Sequence, residues 1–273
     1  MSKRKGFQIH KEIFGYATHF HQSLSIHLRP CLRLFLNYLK MTNINDAKTD
    51  IKRKIGLMIP THGRPDFLRN TVLQLAFQTV TPDVICIHQN GDEKSYEWVL
   101  EDLNLPCKII WIFNPSKLKQ HAWYSAPLRR LIEEHCTHFF WIDHDDIYLT
   151  HHIKTAIDEL VSHDFRIASH ADLLYVHKLN FSLEKNIHFT AHGPKGMSSS
   201  MAFNRAFAVS LCFNLETDEK YHYSDNVVSE IVMPMFNCFH SPTRTTIYRA
   251  HSDSLTSHGL VARWYKNLDN EAQ

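Results

Sequence analysis

Short apolar runs alternate along the chain with longer segments in which apolar residues recur every three or four positions. The runs "KIGLMIP" (54–60), "DVICIHQN" (83–90), "CKIIWIF" (107–113) and "HFFWID" (138–143) read as strands buried on both faces, because an unbroken apolar run leaves no side for solvent. After the first of them, Gly63 and Pro65 mark a turn into a helix with Leu68, Val72, Leu75 and Ala76 on one face. The segments "SYEWVLEDL" and "APLRRLIEEH" read as two further helices. Thr150 is the expected cap of a fourth, with Ile153, Ala156, Ile157, Leu160 and Val161 inward. Strand and helix alternating four times predicts an α/β domain with a mostly parallel sheet and helices on both faces.

The second half is less regular. "RIASHADLLYVHKL" reads as one or two strands, "GPKGMSSSMAFNRAFAV" as a small-residue loop entering a helix or strand, "SDNVVSEIVMPMF" as a helix and "TRTTIYRAH" as a last strand. At the other end, "LRPCLRLFLNYLK" (28–40) gathers Leu32, Phe35, Leu36 and Leu39 on one helical face beside Arg29, Arg33 and Lys40. The expected organisation is a basic helical extension and linker over 1–50, a first half over 51–160 and a second half of the same domain over 161–273.

Charge changes this picture only locally. The formal net charge is +2, which gives no global drive toward nucleic acid, yet residues 1–40 hold seven Lys and Arg against Glu12 alone. That segment either covers the main domain or docks on an anionic membrane surface. The six cysteines form no C-x-x-C pair and most sit in apolar runs, as buried free thiols in a reducing compartment do. With no signal-peptide pattern and no apolar run near the ~18 residues of a membrane span, the expectation is a cytoplasmic protein, peripheral on the membrane through residues 1–40.

The chemistry concentrates where the fourth strand ends. Asp143, Asp145 and Asp146 crowd around His144, and like charges this close repel one another unless a cation sits among them. Mg²⁺ and Mn²⁺ take oxygen ligands, and often only one or two carboxylates with phosphate and water completing the shell. A D-x-D at the carboxyl edge of a nucleotide-binding sheet therefore points to a metal bridging to a diphosphate. The alternative is a solvated acidic turn that caps the next helix. Strand alternation turns His144 back into the sheet, away from its acidic neighbours.

The stretches "IGLMIPTHGRPDFLRNTVLQLAFQT" (55–79) and "FFWIDHDDIYLTHHI" (139–153), with "NPSKLKQHAWYSAPLRRLIEEH" between them, resemble family 2 glycosyltransferases over residues 55 to 160. The resemblance implies a GT-A fold and an inverting, Mn²⁺- or Mg²⁺-dependent transfer. The sugar, of hexosyl or N-acetylhexosaminyl class, would move from a nucleotide-sugar donor, a UDP-sugar, to a hydroxyl of a glycan or lipid-linked acceptor, with bacterial surface polysaccharide as the setting. It places Pro60 and Thr61 against base and ribose with Arg64 close by, Asp143 on the ribose and Asp145 on the metal. It also implies a histidine metal ligand after the last strand, His251 with His258 as the substitute, and a carboxylate base at Asp225 ahead of an apolar helix. The family's aspartate at the end of the second strand is replaced by His88, with Gln89, Asn90 and Asp92 beyond, and the amide of Asn90 is the expected base reader. Two rival readings are a catalytically silent scaffold of the same fold and a nucleotidyltransferase, although "PTHGRPD" has one glycine and one arginine where a triphosphate loop needs more.

Overall fold

In the computed structural model, which describes residues 52–168, 172–177, 180–181, 187–188, 198–218 and 224–250, the first apolar run becomes β1 (Ile55–Thr61), buried at every position. Gly63 then takes φ +62°, a left-handed turn that suits glycine, and Pro65 opens α1 (Pro65–Ala76), where its missing N–H costs no helix bond. β2 (Val84–Asn90) and β3 (Lys108–Asn114) follow, with a short 3-10 turn, Glu97–Leu100, between them. The helix expected over 95–103 shrinks to that turn. Val99 and Leu100 are its buried residues, whereas Trp98 points to solvent.

α2 (Gln120–Glu133) begins six residues before the expected segment and accommodates Pro127 inside it. β4 (His138–Trp141) and β5 (Ile147–Tyr148) flank the acidic loop, and α3 (His152–Leu160) follows. Here two expectations fail. The residue before α3 is His151 rather than Thr150, and it makes no side-chain cap. Val161 is 81% exposed, because the helix ends at Leu160 and the inward stripe ends with it.

The remaining elements are β6 (Phe165–Ala168), β7 (Asp172–His177), β8 (Asn180–Phe181), β9 (Ile187–His188), β10 (Met201–Asn204) and α4 (Arg205–Thr217). Asn204 caps α4, its side chain accepting from Phe207 N. The expected helix at 224–236 is helical throughout but uneven. It runs through Ser224–Asn226, a π-helical Val227–Val232 and a 3-10 turn, Met233–Met235, before β11 (Cys238–Ser241) and β12 (Thr246–Ala250).

Seven strands form the central sheet in the order β11-β6-β10-β4-β1-β2-β3, with β10 antiparallel to both neighbours and every other pair parallel. β6, β10 and β11 come from the later half of the chain and extend the sheet built by the first. Alternation assigns its two faces. Ile55, Leu57 and Ile59 pack with Leu68, Val72 and Leu75 of α1 and Ile153, Ala156 and Ile157 of α3. On the other face, a Cβ at Gly56 would come within 2.8 Å of Cys136 Sγ and 3.0 Å of Leu131 Cδ2, so α2 lies close against β1. Trp141 and Tyr124 meet there with ring centroids 4.5 Å apart, and Phe139, Phe203, Phe207 and Phe165 continue the contact to α4.

A smaller sheet, β5-β12-β7-β8 with β9 on β7, lies off this path. Arg166 of β6 is fully buried; it pairs with Glu159 of α3 and donates to Thr245 Oγ1 at 3.2 Å, while Ser241 donates to Glu159 at 2.6 Å. Burial lowers the Arg166 pKa even against the pull of Glu159, so this ion pair ties α3, β6 and β11 together at a desolvation cost. The described cysteines are free; Cys86, Cys136 and Cys212 are buried and Cys107 and Cys238 half-buried. Among the described residues no helix is long and apolar enough to cross a membrane.

Candidate functional site

The chain lays β2 and β3 on one side of β1 and then returns to place β4 on the other. At such a reversal the loops leaving the two central strands separate, and a crevice opens at their carboxyl ends. The loops concerned are Thr61–Arg64 after β1 and Ile142–Asp146 after β4.

Backbone clamps fix the acidic loop. Asp143 N donates to Tyr148 Oη at 2.8 Å, and that hydroxyl donates back to Asp143 O at 3.1 Å. Thr71 of α1 donates to His144 O at 2.7 Å. The His144 ring lies 3.1 Å from Pro60 O through Nδ1 and is 8% exposed, so it joins β1 to the loop from inside the sheet. Asp146 is fully buried. Asp143 and Asp145 are half-buried, and Asp145 Oδ2 accepts from the Arg64 guanidinium at 2.6 Å.

Asp225 comes from a later segment that docks on α2. Its neighbour Ser224 donates through the backbone N–H to Gln120 Oε1 at 3.1 Å, which docks the segment on the first turn of α2. Tyr124, one turn along α2 and also bonded to Gln120, has its phenol pKa raised well above the ordinary value, by burial first and then by the charges of Asp143, Asp225 and Asp145. The charges of three carboxylates from two separate segments thus act on one buried ring. Asp225 keeps an accessible surface while protein surrounds it on enough sides for desolvation to raise its carboxyl pKa.

The other sequence candidates fall as follows. Pro60 and Thr61 are buried, and the Thr61 hydroxyl is 2.7 Å from Tyr96 Oη. Asn90 sits at the end of β2, but its amide is committed to the next loop: Leu118 N donates to Oδ1 at 2.8 Å and Nδ2 donates to Leu118 O at 3.4 Å. His88, in the position of the missing strand-end aspartate, turns toward α2, where its Nδ1 is 2.8 Å from Trp123 O and its carbonyl accepts from Trp123 Nε1 at 2.8 Å. Burial lowers the His88 pKa, which keeps the ring neutral. The expected metal ligand His251, its substitute His258 and the basic segment 1–40 lie outside the described residues.

Sequence reasoning named one carboxylate beyond Asn90 without giving it a role. Asp92 accepts from Gly63 N at 3.2 Å and from Gln89 Nε2 at 3.0 Å, and lies 3.2 Å from His62 Nδ1. It brings acid to the end of β2 two residues beyond Asn90, across the positive-φ turn at Gly91. Gln120 and Tyr124 were equally hidden, since their role comes from packing.

The donor set suits a hard divalent cation. Among the described residues no three His, Cys, Asp or Glu side chains converge as a complete protein cage. Such a cation needs only one or two carboxylates where a diphosphate and water supply the remaining oxygens; the half-buried carboxylates at this edge are Asp143 and Asp145, the latter paired with Arg64.

No protein-family model matches the chain, and no curated protein does. Solved structures match by fold. TarS 1–349 from S. aureus in complex with UDP-GlcNAc superposes with a TM-score of 0.55 at 9% identity, over 74% of this chain and 59% of that one. The same fragment in complex with UDP gives 0.53, over 72% and 60%, and a longer TarS structure gives 0.52, over 72% and 37%. The chain thus spans about six-tenths of the shorter TarS fragment. At this identity the likeness is one of fold: the α/β architecture is of the GT-A type.

Proposed function

We propose that the chain is a metal-dependent glycosyltransferase that moves a sugar, with inversion, from a nucleoside diphosphate donor to a hydroxyl of a glycan or lipid-linked acceptor. The observation that carries this reading is the acidic loop, Asp143 to Asp146, at the carboxyl end of β4 where a GT-A type sheet reverses, with the Asp225 segment docked on α2 through Ser224 and Gln120. A UDP-sugar donor, of hexosyl or N-acetylhexosaminyl class, is favoured by the fold shared with TarS, which was crystallised with UDP-GlcNAc and with UDP.

In this reading the donor lies across the ends of β1 and β4. The buried Pro60–Thr61 end of β1 forms the floor under base and ribose, Asp143 faces the ribose, and Asp92 takes over base recognition because the amide of Asn90 is engaged with Leu118. Asp145, with His251 beyond the described residues, would hold Mn²⁺ or Mg²⁺, which when bound stabilises the negative charge of the departing diphosphate. Asp225 accepts the acceptor hydroxyl proton as that oxygen bonds to the anomeric carbon, and the bond to the diphosphate breaks with its electron pair leaving on the diphosphate. The raised pKa of Asp225 suits the task, since a base works best when its pKa approaches the operating pH.

The test is a Mn²⁺-dependent hydrolysis screen over a panel of nucleotide sugars. Slow release of one nucleoside diphosphate is the expected result. Inertness toward every donor, combined with no nucleotide binding, would instead make the chain a silent scaffold of this fold.

A further inference from the structure

Asp145 is not an open carboxylate. The Arg64 guanidinium donates to its Oδ2 at 2.6 Å, and the two side chains retain only 20% and 15% of their exposure, so water screens the pair poorly. The two arrive from different loops, 81 residues apart, which makes the pair a product of the fold. The Arg64 backbone is pinned: its carbonyl accepts from Leu68 N at 3.1 Å as the residue preceding α1. Any exchange of partner must therefore come from its long side chain.

We infer that Arg64 is an internal counter-cation that holds Asp145 until a nucleotide diphosphate arrives, so that divalent-ion binding becomes contingent on the donor. This rests on the glycosyltransferase reading and adds a control step to it. A cation approaching Asp145 alone must displace a partly buried guanidinium from that oxygen. A nucleotide diphosphate changes the balance by offering the guanidinium another anion, to which a planar fork of donors is well suited. Arg64 then moves from carboxylate to phosphate, Asp145 is released to the metal, and binding of metal and nucleotide is coupled in both directions. The device also offsets part of the negative charge of the acidic loop while no ligand is bound, which weakens the repulsion among its carboxylates.

The test measures Mn²⁺ binding to the full chain by the electron paramagnetic signal of free Mn²⁺, with and without saturating UDP, in wild type, Arg64→Gln and Arg64→Lys. Without UDP, Arg64→Gln is expected to bind Mn²⁺ about tenfold more tightly than wild type, the scale of a partly buried ion pair removed as competitor. Arg64→Lys, which keeps the charge, should stay near wild type. Adding Asp145→Asn to Arg64→Gln should abolish the gain. Thermal melts alongside establish that each variant is folded, and the lysine variant keeps the comparison decisive if glutamine unfolds the loop: tight Mn²⁺ binding by Arg64→Lys alone, without UDP, contradicts the counter-cation. If wild type binds Mn²⁺ with UDP but Arg64→Gln without UDP binds no better than wild type, the counter-cation is overturned and the glycosyltransferase reading stands. If wild type binds no Mn²⁺ even with UDP, the metal-dependent reading fails and the inference with it.

Discussion

Asp225 shows how one residue carries both chemistry and cost. Its folded pKa is raised by desolvation, so ionising it in the native state is unfavourable, and that penalty is present at every pH above the raised value. As pH falls through that value the carboxyl protonates and can no longer accept a proton, so kcat/KM should lose its base on an acid limb above the ordinary carboxylate range. Asp225→Asn is expected to lower kcat by about 10²- to 10⁴-fold, the scale of a general base, and to leave the melting temperature at neutral pH unchanged or higher. A pH–rate profile and a thermal melt on the same preparation check both halves. A variant that melts well below wild type would make Asp225 a structural residue. The acidic loop was readable in the sequence because its three carboxylates follow one another at a strand end. The links among Asp225, Gln120 and Tyr124 were not, because residues from 120 to 225 meet only when Ser224 docks on α2. Asn90 looked like a base reader from its place in β2 and proves to be a brace for Leu118, a distinction of rotamer that composition does not encode.

At the scale of elements, the apolar runs gave the four parallel strands correctly because a strand covered on both faces has almost no alternative use for consecutive Ile, Leu and Phe. Helices were less legible where a segment is short. "SYEWVLEDL" has helical spacing, yet Tyr96 is drawn inward by its hydroxyl contact with Thr61 and its N–H bond to Gln89 Oε1, and only a 3-10 turn remains. The π-helical Val227–Val232, separated from Asp225 by Asn226, has no periodic signature, and such segments cluster at functional sites. The close approach of α2 to β1 is set by Gly56, where any side chain meets Cys136 Sγ. Gly56→Val should therefore lower stability by about 2–3 kcal/mol through overpacking, a fall of roughly 5–10 °C in melting temperature. A melt within one degree of wild type would mean that α2 yields freely, and that the crevice wall carrying Tyr124 is softer than its packing indicates.

For the whole molecule, the sheet gathers strands from both halves of the chain, so the loops after β1 and β4 come from the first half while the Asp225 segment, docked on α2, comes from the second. The basic segment 1–40 either covers the main domain or docks on an anionic membrane surface. Removal of residues 1–40 should release the protein from vesicles rich in anionic lipid in a flotation assay, while the remaining domain keeps nucleotide affinity. Equal flotation of the two proteins would assign that segment no membrane role.

The central claim is that Asp145 and its loop grip the diphosphate end of a nucleotide sugar, and calorimetric titration of UDP with Mn²⁺ present tests it most directly. Wild type is expected to bind with a Kd between about 1 μM and 1 mM, the usual span for enzyme substrates, and Asp145→Ala to lose at least about tenfold, or roughly 1.4 kcal/mol. Equal affinity in the two proteins, or no heat of binding from the wild type, would contradict the account.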